Sequence, residues 1–137
     1  KREICGSMIK IFVFGDLDIS NWNTSQVTDT NNTFANRTEF NEDISKWDVS
    51  NVENMRAMFY KANSFNSDLS DWNVSKVKDM GWMFCFATQF NCDISRWDVS
   101  NVDKMYWMLV GAKSFNRDFV KDWNYKHKSM RRQMEGC

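Results

Sequence analysis

The sequence contains no proline, a single histidine and only five glycines. Without proline every backbone amide stays available, which a stacked strand ladder requires. One histidine with four scattered cysteines (Cys5, Cys85, Cys92 and Cys137) offers neither zinc-ligand spacing nor a thiol–imidazole pair. The scattered glycines make no phosphate-cradling loop. No uninterrupted apolar run approaches the roughly 18 residues that a bilayer-spanning helix needs. A charge surplus is missing too: 18 Lys and Arg balance 18 Asp and Glu. That argues against a nucleic-acid binder working by bulk charge. No nucleophile or acid/base pair stands out, so the expectation is a non-enzyme with no catalytic residues, cofactor, metal or small-molecule substrate. Neither an initiator Met nor a signal peptide opens the chain, which leads us to expect a mature or excised segment.

What is present is a repeat. The 137 residues fit one domain, 42% are hydrophobic, and seven are Trp and nine Met. Trp22, Trp47, Trp72 and Trp97 are spaced 25 apart, and Trp123 follows with one extra residue. Phe40-Asn41, Phe65-Asn66, Phe90-Asn91 and Phe115-Asn116 keep the same period, as do Asp18, Asp43, Asp68, Asp93 and Asp118. Met55, Met80 and Met105 follow, then Met58, Met83 and Met108, then Ala62, Ala87 and Ala112. The unit reads F-N-x-D-I-S-x-W-D-V-S-N-V-x-x-M-x-x-M-F-x-x-A-x-x.

Each unit has two halves. In Ile44–Val49 the apolar Trp47 and Val49 alternate, which predicts a strand. In Val52, Met55, Met58, Phe59 and Ala62 the steps of three and four predict one helical stripe, with Ser50 and Glu53 as a capping box. The fold expected is α/β: a right-handed, leucine-rich-repeat-like solenoid of about five strand-plus-helix repeats with degenerate end caps. Residues 1–14 would be an N-terminal half repeat, 15–114 four repeats, and 115–137 a C-terminal cap, all in the single domain 1–137.

The string F-N-x-D-I-S-x-W-D-V-S-N-V-x-x-M-x-x-M-F, over nearly residues 15–120, resembles the 25-residue repeat of the BspA-like leucine-rich-repeat surface-protein family. The resemblance implies a non-enzymatic, partner-binding protein, extracellular or on the cell surface. An intracellular or organellar assembly is the alternative location. The resemblance transfers no catalytic residue.

Several columns invite a functional reading. The Trp column is a candidate platform for sugars or bases, but its inward strand position favours core. Helical spacing likewise assigns the Met columns to core. Stacked Asp43, Asp68, Asp93 and Asp118 could hold Ca²⁺, but capping a turn is the reading we prefer. Asn41, Asn66, Asn91 and Asn116 read as an internal ladder for loop backbone. Sequons occur at Asn23, Asn31, Asn36 and Asn73.

The deviation of most interest is on the back of the expected helices. With Val77, Met80, Met83, Phe84 and Ala87 inward, Trp82 lies about 155° away from the core at 100° per residue. Trp107 is its equivalent one repeat on, while Asn32 and Ala57 hold the position earlier. Phe86 and Val110 lean outward as well. Exposed apolar surface marks contact sites, and Trp is favoured at their centres. Trp82, Trp107, Phe86 and Val110 are therefore the expected partner-binding residues, unless the C-terminal segment folds back over them. A second candidate face carries Lys46, Asp48 and Ser50 and their repeats Asp71, Asn73, Ser75 and Arg96, Asp98, Ser100. Lys121 to Glu135 carries a net charge of +3 and reads first as a polar lid. It is the one segment through which a membrane contact is expected. The function expected is a protein-binding repeat module, or else a fixed structural subunit of a larger assembly.

Overall fold

The computed structural model describes residues 18–136. The half repeat expected at 1–14 lies outside the described residues, as do Cys5 and Cys137.

The α/β solenoid of strand-plus-helix repeats is not what the chain forms. Among the described residues the regular helices are a 3-10 turn, Arg117–Val120, and one five-residue α-helix, α1 (Met130–Met134). Strand pairing is reduced to isolated parallel bridges that join Asp29, Asn54, Asp79 and Lys104 in series. The leucine-rich-repeat architecture falls with it. In its place the chain runs as successive coils of turns, bonded to one another across about 25 residues.

The destination of the amides explains why no helix forms. A helix sends each N–H to the carbonyl four residues back. In the segment 30–37 the N–H groups of Thr30, Asn32, Phe34 and Asn36 instead donate to the carbonyls of Asn54, Arg56, Met58 and Tyr60, in the next coil. The intervening Thr33, Ala35 and Arg37 close i→i−3 turns onto Thr30, Asn32 and Phe34. Ala57, Phe59 and Lys61 then donate to Gly81, Met83 and Cys85, and Trp82, Phe84 and Phe86 to Tyr106, Met108 and Val110.

This staircase needs left-handed backbone. Two columns have positive φ: Asn32, Ala57, Trp82 and Trp107 (53–61°), and Asn36, Lys61, Phe86, Gly111 and Gly136 (56–79°). In the turn from Thr30 to Thr33 the left-handed residue, Asn32, is third of four, the place where a type II turn requires φ above zero. Such residues interrupt any helix.

The helix expectation nevertheless identified the core. Val52, Met55, Met58, Phe59 and Ala62 are all buried, and so are their equivalents one and two coils on. Steps of three and four serve a staircase of three-residue turns as well as a helix. The expected strand half has Trp47 and Val49 buried around exposed Asp48, but side chains join its coils. The indole N–H of Trp47, Trp72, Trp97 and Trp123 donates to the carbonyl of Ile19, Ile44, Leu69 and Ile94 respectively (2.9–3.2 Å).

Aromatic rings fill the interior in columns. Phe34, Phe59 and Phe84 stack in series at 5.5–5.7 Å between centroids, and Phe40, Phe65, Phe90 and Phe115 at 5.6–6.0 Å. Within a coil the two columns touch, as in Phe59–Phe65 at 4.0 Å. The indoles of Trp72, Trp97 and Trp123 continue in near-parallel pairs at 6.2–6.5 Å. Each such pair adds about 0.5–1.5 kcal/mol beyond its area burial. In the first described coil Thr24, Thr30 and Thr33 replace core residues, and their buried hydroxyls donate to the carbonyls of Asp48, Asn54 and Thr30.

The C-terminal segment closes the last coil. Trp107 and Leu109 donate their N–H groups to the carbonyls of Gln133 and Met134, and Met130 and Met134 are buried. Arg117 donates to the carbonyls of Ala112, Phe115 and Leu109 and pairs with Glu135 at 3.3 Å. The Tyr125 hydroxyl donates to the Val120 carbonyl at 2.6 Å, and burial raises that phenol to about 12.

Gly111 combines left-handed backbone with close approach: a methyl group there would lie 2.2 Å from Phe86 Cδ1. We expect Gly111→Ala to lose about 2–3 kcal/mol in urea unfolding. Lys61→Gly, in the same column but exposed, is expected to hold or gain up to about 1 kcal/mol.

Candidate functional site

Asx turns, three per coil until Lys104 takes the third position, account for most of the repeated acids and amides. The carboxylates of Asp43, Asp68 and Asp93 accept the backbone N–H of Ser45, Ser70 and Ser95. Asp48, Asn73 and Asp98 do the same for Ser50, Ser75 and Ser100, and Asn54 and Asp79 for Arg56 and Gly81. The turn role preferred for the Asp column therefore describes its geometry. The capping box does not form: the Ser50 hydroxyl donates to Asp48 rather than meeting a first helical turn. Asp118 differs from its column, sitting in the 3-10 turn that Asn116 caps. Asn41, Asn66 and Asn91 accept the N–H of Asn66, Asn91 and Asn116 in series, as a ladder on the surface rather than inside.

The polar face is occupied with itself. Arg96 pairs with Asp71 at 2.9 Å, and the Lys76 ammonium donates to the Asn51 side chain. Cys85 is buried and Cys92 half-buried, both as free thiols, and burial raises the pKa of each. Cys85 stands in a turn, not on the helix expected for it. The Leu69 N–H donates to the Cys92 sulfur, the main influence opposing that rise.

Trp82, Trp107, Phe86 and Val110 lie on the outside of two successive coils. The indoles of Trp82 and Trp107 stack at 5.0 Å and 13°. Trp107 is 41% and Phe86 39% exposed, and Trp82 and Val110 are half-buried. Their outward placement does not come from the helical geometry assumed for them. Trp82, Phe86 and Trp107 occupy the left-handed columns, at the corners of the turns. The structure brings the two indoles together, while Phe86 lies against Gly111, and among the described residues no ring pair joins it to either indole. Gly136 approaches this edge, and Trp107 stays part-exposed beside it. A methyl group at Gly136 would lie 3.1 Å from Val110 Cγ2 and 3.6 Å from Trp107 Cε2.

Two members escaped the sequence reading. Tyr106 is 48% exposed, and Tyr60 meets Trp82 edge-on at 5.9 Å with the Lys61 ammonium 5.2 Å above its ring. Asn31, Arg56 and Gly81 precede Tyr106 in its column, and the first two are a polar signal that the position faces out. A helical projection obscured it.

The columns keep a 25-residue register up to the one extra residue before Trp123, and the chain matches over residues 6–123 the family described as a Mycoplasma protein of unknown function, DUF285. The chain belongs to that family. No curated protein and no solved structure matches it.

The Asx turns set the acid response. Hydrogen bonds from the serine hydroxyl, then from the serine N–H, hold Asp18, Asp43, Asp68 and Asp93 below the usual carboxylate range. A depressed folded pKa contributes stability in full above the unfolded value, about 4, and that stability is lost as pH falls through the folded value. Urea midpoints measured from about pH 5 to about pH 2 should therefore drop. Replacing Asp43, Asp68 and Asp93 together with Asn, which keeps the acceptor but not the titration, should flatten that slope.

Proposed function

We propose that this chain is a non-enzymatic protein-binding repeat module that docks through the edge formed by Trp82, Trp107, Phe86 and Val110. The observation that carries the reading is the stacked, part-exposed indole pair on left-handed backbone. Bulky residues there cost stability of order 1 kcal/mol or more, where Gly or Asn would not. The first coil has Asn at both equivalent positions, Asn32 and Asn36. Strain retained beside exposed apolar surface supports a contact role. The resemblance of the repeat to BspA-like surface proteins supports a binding function and a location outside the cell or on its surface.

A second reading is a fixed structural subunit of a larger, membrane-associated or soluble assembly. The exposure of three large aromatics, Tyr106, Trp107 and Phe86, favours it, because permanent docking suits an apolar back. Size-exclusion of the isolated chain separates the two: a monomer supports the free module, self-association the obligate subunit.

The double variant Trp82→Ser/Trp107→Ser tests the shared premise. It is expected to abolish retention of a partner co-purified from the native source, with a stability loss below about 1.5 kcal/mol, the scale of one aromatic pair. A much larger loss would show that the indoles are core, and unchanged retention would overturn the docking reading.

A further inference from the structure

We propose that the partner segment received by this edge is an extended acidic peptide, its backbone carbonyls taking the indole N–H groups and its carboxylates facing Arg56, Lys61 and Lys104. The inference rests on the docking reading and names the chemistry of the occupant.

The ring faces are already in use. Trp82 and Trp107 lie face to face, Tyr60 closes on Trp82, and Gly136 is near enough to Trp107 that a methyl group there would lie 3.6 Å from its Cε2. A sugar ring or a base, which binds by lying on an open face, finds none between the two indoles. The N–H groups differ from those of the core. The indoles of Trp47, Trp72, Trp97 and Trp123 each donate to a carbonyl, whereas those of Trp82 and Trp107 have no acceptor among the described residues. An indole N–H can only donate, so a fitting partner brings acceptors.

Charge supplies the rest. Arg56, Lys61 and Lys104 are exposed, and none of them enters an ion pair among the described residues. A methyl group at Gly81, next to Trp82, would lie 3.4 Å from an Arg56 guanidinium nitrogen, and Lys104 is two residues before Tyr106. Of the neighbouring acids, Asp103 pairs with Lys126 and Glu135 with Arg117, while Asp79 accepts the Gly81 N–H and keeps its charge near Arg56. Three cations against the one carboxylate of Asp79 that is in no ion pair leave this face net positive in a chain of zero net charge. A lipid surface fits less well, because Trp107, Phe86 and Tyr106 each keep more than half of their surface packed on the protein and do not project as anchors.

The test titrates the full 137-residue chain with three synthetic peptides of about 12 residues. They share a Leu-Val centre and carry Asp/Glu, Asn/Gln or Lys/Arg flanks. A fourth arm uses phosphatidylcholine vesicles with about 30% phosphatidylserine. The acidic peptide should bind at least about tenfold tighter than the neutral one, with the gap closing between about 50 and about 500 mM salt. R56E/K61E/K104E should erase the preference with the thermal melt unchanged, and W82S/W107S should weaken the acidic peptide. Equal binding of acidic and neutral peptides, binding of none, or binding to vesicles alone overturns the proposal. If the W82S/W107S variant still loses the native-source partner, only the acidic occupant falls. If retention is unaffected, the docking reading falls with it.

Discussion

A single pattern of backbone bonding governs this molecule: alternate amides of the turn segment leave their own coil and donate to the next, as Thr30, Asn32, Phe34 and Asn36 do to Asn54, Arg56, Met58 and Tyr60. The amides between them close tight turns. Buried backbone N–H groups must find partners, and here two routes share the work that a helix or a sheet would do alone. The left-handed columns are the geometric cost of that division. Because every coil repeats it, Met over Met and Phe over Phe stack without any change of register.

The indoles show how one residue type serves two ends. Inside, Trp72 and Trp97 lie flat over one another, and each N–H is satisfied by a carbonyl of the preceding coil. Outside, Trp82 and Trp107 stack as closely but keep their N–H groups unspent on the described chain and their edges part-exposed. What separates the two sets is the backbone position each residue occupies, not its chemistry.

Much of this was legible in the sequence, and the remainder was hidden for a definite reason. The identity of the buried residues could be read from periodicity and the Asx role of the Asp column from side-chain chemistry, whereas Trp82 and Trp107 face outward because of left-handed backbone and not of a helical projection. The element type could not. Val52, Met55, Met58, Phe59 and Ala62 satisfy a helical stripe, and nothing in Ala57 or Lys61 announces left-handed backbone. The clue was present at Asn32, Asn36 and Gly111, residue types that tolerate positive φ, but it was split among different repeats. Tyr106 was missed for the same cause, since a helical projection puts it at the wrong angle. The alternation of Trp47 and Val49 was real, yet side-chain bonds to carbonyls took the place of a strand ladder.

Interchangeable coils raise a problem of counting. A chain whose layers are nearly alike can anneal one layer out of step, each layer finding a plausible neighbour, and such slips are slow to undo. The first described coil and the last carry marks that the middle ones lack. Thr24 and Thr30 bring hydroxyls bonded to carbonyls of the next coil where later coils have Val and Met, and the N–H groups of Trp107 and Leu109 donate to the C-terminal segment rather than to a further repeat. A layer out of step at the far end would part Trp107 and Leu109 from Gln133 and Met134, and Arg117 from Glu135. The C-terminal segment thereby acts as a stop that fixes the alignment of everything before it.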